Sequence, residues 1–207
     1  LDTLQTEARE AGDLQALVFL DAELANLQIW EEVGEEEALE AMLQELLDLD
    51  ERGMGTAVEG YSLLSLLRAR QGQTETARRL LAKAQETAHE RGEFALWEAY
   101  LGWAESKLAM AEENWPEALA VFEAMADALD HRNQRWQRAR VLLDWAEAHL
   151  NRRVPGDRER AGELLREAEA EFRAMGAPLY AERAKARLYR VSPQGSSAQA
   201  NRKMPAA

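Results

Sequence analysis

The sequence predicts an all-α fold, an α-α superhelix of about four helical hairpins completed by a closing helix. Three observations carry that expectation. Apolar residues recur at helical spacing almost throughout, and no stretch alternates as a strand does. Charged residues make up 30% of the 207 residues while Gly and Pro number only 12 and 5, a balance that suits helices and argues against an all-β or a disordered chain. A bulky residue followed by a small one returns at steps of about forty, as in "WAESKL" at 103–108 and "WAEAHL" at 145–150.

The elements follow in order from the turn signals. A partial N-terminal helix stops at "GD", 12–13, where glycine takes the left-handed conformation that ends helices. The first hairpin, about 13–51, is divided by "VGE" at 33–35 and closed by "RGMG" at 52–55. The second, 56–91, turns at "QGQ", 71–73, and the third, 93–130, at "EENWP", 112–116, whose Pro suits a first helical turn. The fourth, 133–174, turns at "VPGD", 154–157; "MGAP" at 175–178 then leads into a closing helix at 178–190. The remainder, 191–207, is polar and rich in small residues, and is expected to be a flexible tail.

Two markers share one period. "LANLQI" at 24, "LSLLRA" at 64, "WAESKL" at 103 and "WAEAHL" at 145 each give a bulky residue, a small one, and an apolar residue five on, at steps of 40, 39 and 42. In the helix after each, an alanine precedes a large apolar residue by four: Ala38/Met42, Ala77/Leu81, Ala118/Phe122 and Ala161/Leu165, at steps of 39, 41 and 43. Two independent markers keeping one period identify a repeat array. The small residues Ala25, Ser65, Ala104 and Ala146 let the paired helix approach while the bulky neighbour fills the space beside it. Trp103 and Trp145 are therefore read as core anchors.

"TETARRLL" at 74–81 and "WPEALAVF" at 115–122 resemble the tetratricopeptide repeat, with its W-x2-L-G-x2-Y…A-x3-F…P signature. Tyr61, Leu64, Ser65, Gly72, Ala77, Leu81 and Ala84 follow that pattern, but the steps exceed the family's roughly 34 residues, and the first-helix Gly and final Pro are replaced. Long, degenerate units of this kind are similar to the arrays in bacterial STAND-class ATPases, LuxR-type activators and adenylyl cyclases. "AEFRAMGAPLYAERAKARL" at 170–188 looks like the end of such an array.

The resemblance implies a concave face lined by first helices. Its positions fall on Ala22, Asn26, Ile29 and Trp30 in the first hairpin and on Ser62, Leu66, Ala69 and Arg70 in the second. In the third they are Leu101, Glu105, Leu108 and Ala109; in the fourth, Leu143, Glu147, Leu150 and Asn151. An apolar floor bearing Glu105 and Glu147 would receive an amphipathic helix or extended segment with basic residues. The other reading of the same row is burial against neighbouring helices.

Residues 1–60 hold 17 acids against 2 bases, whereas 131–207 hold 9 against 16. Such a dipole favours steering of partners, or self-association through the charged ends, and otherwise describes solvated helix faces. The overall charge of −13 opposes nucleic-acid binding despite an arginine cluster at 132–160. Cysteine is absent, which removes disulfides and thiolate chemistry and fits a cytoplasmic location. The longest apolar runs, such as "ALVFL" at 16–20, fall far short of the roughly 20 residues that span a bilayer.

Neither a zinc helix, a nucleophile elbow nor a phosphate-binding glycine loop occurs, so no catalytic, metal or cofactor site is assigned. "DLDERGMGTAVE" at 48–59 approaches a calcium loop, with Glu59 in the twelfth position, but Arg52 places a cation among the ligands and a helix–turn–helix is the better reading. His89, His131 and His149 are read as structural or exposed. The resemblance implies a non-enzymatic protein-interaction module, part of a larger bacterial signalling or transcription-regulating protein, and the start at Leu1 is read as a piece of a longer chain; the alternative is a small-molecule-sensing regulatory domain.

Overall fold

The computed structural model describes residues 2–191 except 13, 32, 33, 52, 54 and 93; the tail expected at 191–207 lies outside them apart from Val191. Among the described residues there are ten helices and no strand. They are α1 (Asp2–Ala11), α2 (Leu14–Glu31), α3 (Glu36–Glu51), α4 (Ala57–Arg70), α5 (Thr74–Glu90), α6 (Phe94–Ala111), α7 (Trp115–His131), α8 (Arg135–Arg152), α9 (Asp157–Ala174) and α10 (Pro178–Val191). The chain forms two compact units, Leu1–Glu112 and Glu113–Ala207, so the segment read as the third hairpin contributes α6 to the first and α7 to the second. In the first unit each helix from α1 to α6 packs on the next, and α4 also packs on both α2 and α6. In the second, α7, α8, α9 and α10 pack in succession. Consecutive helices packed as antiparallel pairs are what a helical repeat requires.

The second helices of the hairpins bury one row at identical spacing, i, i+4, i+7 and i+11. The row is Ala77, Leu81, Ala84 and Ala88 on α5; Ala118, Phe122, Met125 and Leu129 on α7; Ala161, Leu165, Ala168 and Phe172 on α9. On α3 the row starts at Leu39 and continues through Leu43 and Leu46, whereas Ala38 is exposed. The Ala38/Met42 marker is thus corrected by one residue. Leucine occupies the place that alanine takes elsewhere, and the alanine beside it faces water. The expected consequence is asymmetric: Ala77→Leu overpacks a closed site and should cost about 1–3 kcal/mol, while Ala38→Leu should leave the urea midpoint unchanged.

The bulky–small doublets are buried as expected. Trp103 and Trp145 are each 8% exposed, and Ala25, Ser65, Ala104 and Ala146 are closed off from solvent, with Leu24 only half-buried. Ser65 also joins the two markers physically, its Oγ donating to the Ala77 carbonyl at 2.8 Å. Helix ends reuse one device. The N–H of Gln73 bonds the Arg68 carbonyl and that of Gly72 the Ala69 carbonyl; Gln134 to Leu129 with Asn133 to Asp130, and Ala177 to Phe172 with Gly176 to Arg173, repeat the pattern. These are Schellman caps, which need a left-handed residue supplied by Gly72 (φ 75°), Asn133 (φ 55°) and Gly176 (φ 72°). Gly60 serves a different end: a Cβ there would lie 2.8 Å from Leu47 Cδ2, so its bare Cα lets α3 come close to α4.

Candidate functional site

In the first unit the first helices of three successive hairpins, α2, α4 and α6, meet around polar side chains. Asn26 Nδ2 donates to the Tyr100 hydroxyl at 3.1 Å, and Tyr100 in turn hydrogen-bonds the Glu59 carboxyl. Glu59 is 8% exposed in the first turn of α4, and Asn26 is equally hidden. Burial raises the Glu59 pKa to about 7; the Tyr100 hydrogen bond works against this and the Glu23 carboxylate adds to it. Tyr100 is pushed well above the usual phenol range, first by its own burial and then by the negative charge of Glu59 and Glu23. The T-shaped contact of Trp97 with Tyr100, centroids 5.8 Å apart, braces the phenol.

Glu59 is therefore not a calcium-loop ligand. Asp50, from the same stretch, is also committed elsewhere, its Oδ1 accepting from the Ala57 N–H at 3.0 Å and its carboxylate held by Arg91 at 2.8–2.9 Å. These contacts keep Asp50 ionised below the usual range, with Arg91 the main cause, and supply α4 with an N-terminal acceptor. Among the described residues no group of His, Asp and Glu side chains is arranged to hold a metal ion.

The second unit has its own node. Asp157, at the start of α9, accepts from Arg152 Nε at 3.1 Å, from His149 Nδ1 at 2.7 Å and from the Val154 N–H at 2.8 Å, with its side chain 2% exposed. The hydrogen bonds of Arg152 are the main reason that its pKa lies far below the ordinary carboxylate range. His149 stacks on Trp145 at 6.3 Å and the Arg160 guanidinium covers the same indole at 5.1 Å. The node thus fixes the anchor of the fourth hairpin. "VPGD" is legible as a turn, but the use of its Asp as an acceptor for Arg152 Nε and Nη2, His149 and the Val154 N–H depends on His149 and Arg152 in the preceding helix. His131 differs: it is exposed and its Nδ1 bonds the Asp127 carbonyl at 2.7 Å.

The expected concave-face positions divide by exposure. Asn26, Ser62, Leu66, Leu101, Leu108 and Leu143 are buried within their own units. Leu101 and Leu108 fill core because α6 packs on both α4 and α5, so they supply little surface to a partner. Ser62 Oγ turns back to the Val58 carbonyl at 2.7 Å. Trp30, Glu105, Glu147 and Leu150 are half-exposed, and Asn151 is exposed. Arg70 reaches Glu36 of α3 at 3.4 Å.

The arginine cluster is largely spent on structure. Arg135 pairs with Glu171 at 2.7 Å, Arg138 with Asp130 and Glu167, and Arg152 with Asp157. Among the described residues no helix is long and apolar enough to cross a membrane. No known family, curated protein or solved structure matches the chain.

Proposed function

We propose that the chain is a protein-interaction module of the helical-repeat kind, of the tetratricopeptide type in its first-helix pattern, and that it serves as the regulatory part of a larger signalling or transcription-regulating protein. The observation that carries this reading is the side-by-side packing of α2, α4 and α6 in the first unit, tied at Asn26–Tyr100. Stacked first helices form a continuous surface in such arrays, and binding, rather than chemistry, is what they offer. The contact area comes from the half-exposed residues rather than from the full row: Trp30 on α2 and Glu105 on α6 in the first unit, Glu147 and Leu150 on α8 in the second.

Charge supports a basic partner for the first unit. Residues 1–112 carry 24 acidic and 9 basic side chains, a net of −15, and Glu105 adds a carboxylate on the first-helix layer. An amphipathic helix or extended segment bearing Lys or Arg is the complement, since a matching field accelerates encounter and fixes orientation.

Lysine-rich amphipathic peptides titrated against the protein test the reading. Trp30→Ala combined with Glu105→Arg should weaken binding by about tenfold or more, equivalent to roughly 1.4 kcal/mol, and flatten its salt dependence. Equal affinities for wild type and variant, with unchanged helicity, would remove α2 and α6 from the binding surface.

A further inference from the structure

The Glu59 cluster sits where three helices converge and shares with the binding surface just described the Asn26–Tyr100 tie between α2 and α6. Its members come from separate elements: Asn26 and Glu23 from α2, Glu59 from α4, Tyr100 from α6. The hydrogen bonds run in one direction, Asn26 Nδ2 to the Tyr100 oxygen and the Tyr100 hydroxyl to the Glu59 carboxyl. A protonated Glu59 still accepts from Tyr100 and places no charge in a closed space, although the Tyr100 hydrogen bond by itself favours the carboxylate and is outweighed by burial. An ionised Glu59 puts a carboxylate there with Glu23 as a like-charged neighbour, and burial and Glu23 both oppose that charge.

The charges facing Glu59 can be taken helix by helix. From α2 it is Glu23, and from α6 the phenol of Tyr100. On α3, Asp50 caps Ala57 and is matched by Arg91, while Glu40 pairs with Arg68 two turns further along α4. On α5, Lys83 lies over the Tyr61 ring at 4.8 Å. Arg91, Arg68 and Lys83 are therefore each engaged with another group.

We propose that Glu59, Tyr100 and Asn26 form a proton-operated latch: with the Glu59 carboxyl protonated, α2 is held on α4 and α6, and loss of that proton releases α2. The moving part is α2 because it packs on α4 over a shorter stretch than α6 does and because it carries Glu23. Departure of α2 both removes the like charge and opens the carboxylate to water. The device operates near neutrality, where burial has placed the Glu59 titration.

The sign follows from linkage. The closed form binds the proton more tightly than the open form, in which Glu59 titrates as an ordinary carboxyl, so opening becomes easier as pH rises from about 4.5 and levels off above about 7. Between pH 5.5 and pH 8.5 the opening equilibrium should rise by about 30-fold.

Amide hydrogen exchange on the full chain at these two pH values, corrected for intrinsic rates, reads this directly. The α2 amides should lose about 30-fold in protection in the wild type and none in Glu59→Gln, whereas α9 should not respond in either. A wild-type α2 whose protection does not change with pH, or an equal change in the Gln variant, would overturn the proposal. Should Glu59→Gln fail to fold, a carbon-13 titration of the wild-type Glu59 carboxyl decides: a midpoint near 7 supports the latch, and one below about 5.5 rules it out.

Discussion

Phe122→Ala is expected to destabilise the second unit by about 3–5 kcal/mol, the largest effect of any single truncation considered for this chain. The ring is fully buried on α7, in the row that also holds Ala118, Met125 and Leu129. Truncation to alanine loses both the transfer free energy of the ring and the dispersion contacts of the cavity lining, which relaxes only partly because its neighbours are themselves packed. The same place in the repeat is held by Leu81 on α5 and Leu165 on α9, so a leucine-sized side chain already fits the architecture. Phe122→Leu should therefore cost far less, about 1 kcal/mol. Urea unfolding followed by circular dichroism checks both, with the midpoint shifted and the slope preserved. A loss below about 1 kcal/mol for the alanine variant would mean that α7 is not a core element of the second unit.

Much of this core is legible in the sequence because it obeys the helical period. Ala77, Ala118 and Ala161 are small where a neighbouring helix comes close, and their partners four residues on fill the space. That geometry leaves a mark in composition alone. The first hairpin escapes the pattern because Leu39 does there what alanine does elsewhere, so the eye settles on Ala38, one residue early and on the wrong face. A single-residue shift rotates a helix by about 100°, enough to exchange buried for exposed.

The candidate site was less readable. Glu59 stands in "AVEGYSLLSLL", the one charged residue of that stretch, and that mismatch was the available signal. Its meaning depends on Tyr100, 41 positions away, and on Asn26, neither of which a local pattern connects to it. The concave-face positions show the opposite difficulty. The positions that the resemblance implies lie on α2, α4, α6 and α8, but whether a position such as Leu101 or Leu108 faces a partner or a neighbouring helix is decided by helix packing, and periodicity is the same in both cases.

Asp157→Asn should cost the second unit about 2–4 kcal/mol near neutral pH. The amide retains the size of the carboxylate but loses the charge that Arg152 and His149 address, and one of its two oxygen acceptors becomes a donor facing donors. Arg152 is partly exposed, 29% for its side chain, so water recovers some of what it loses. The Val154 N–H and the His149 ring have less recourse, since His149 of α8 is itself buried and its ring nitrogen is turned to Asp157. The pH dependence distinguishes this loss from a packing defect. Because the folded-state pKa of Asp157 is depressed, its contribution is complete above the ordinary aspartate value and is lost as pH falls through that value toward the lower folded one. The gap between wild type and Asp157→Asn should therefore be widest above about pH 5 and should close as the solution is acidified toward pH 2. A gap that stays constant over that range would show that the carboxylate acts only by filling space, and the turn after α8 would then owe its geometry to Arg153 and Gly156, both left-handed in the backbone, rather than to charge.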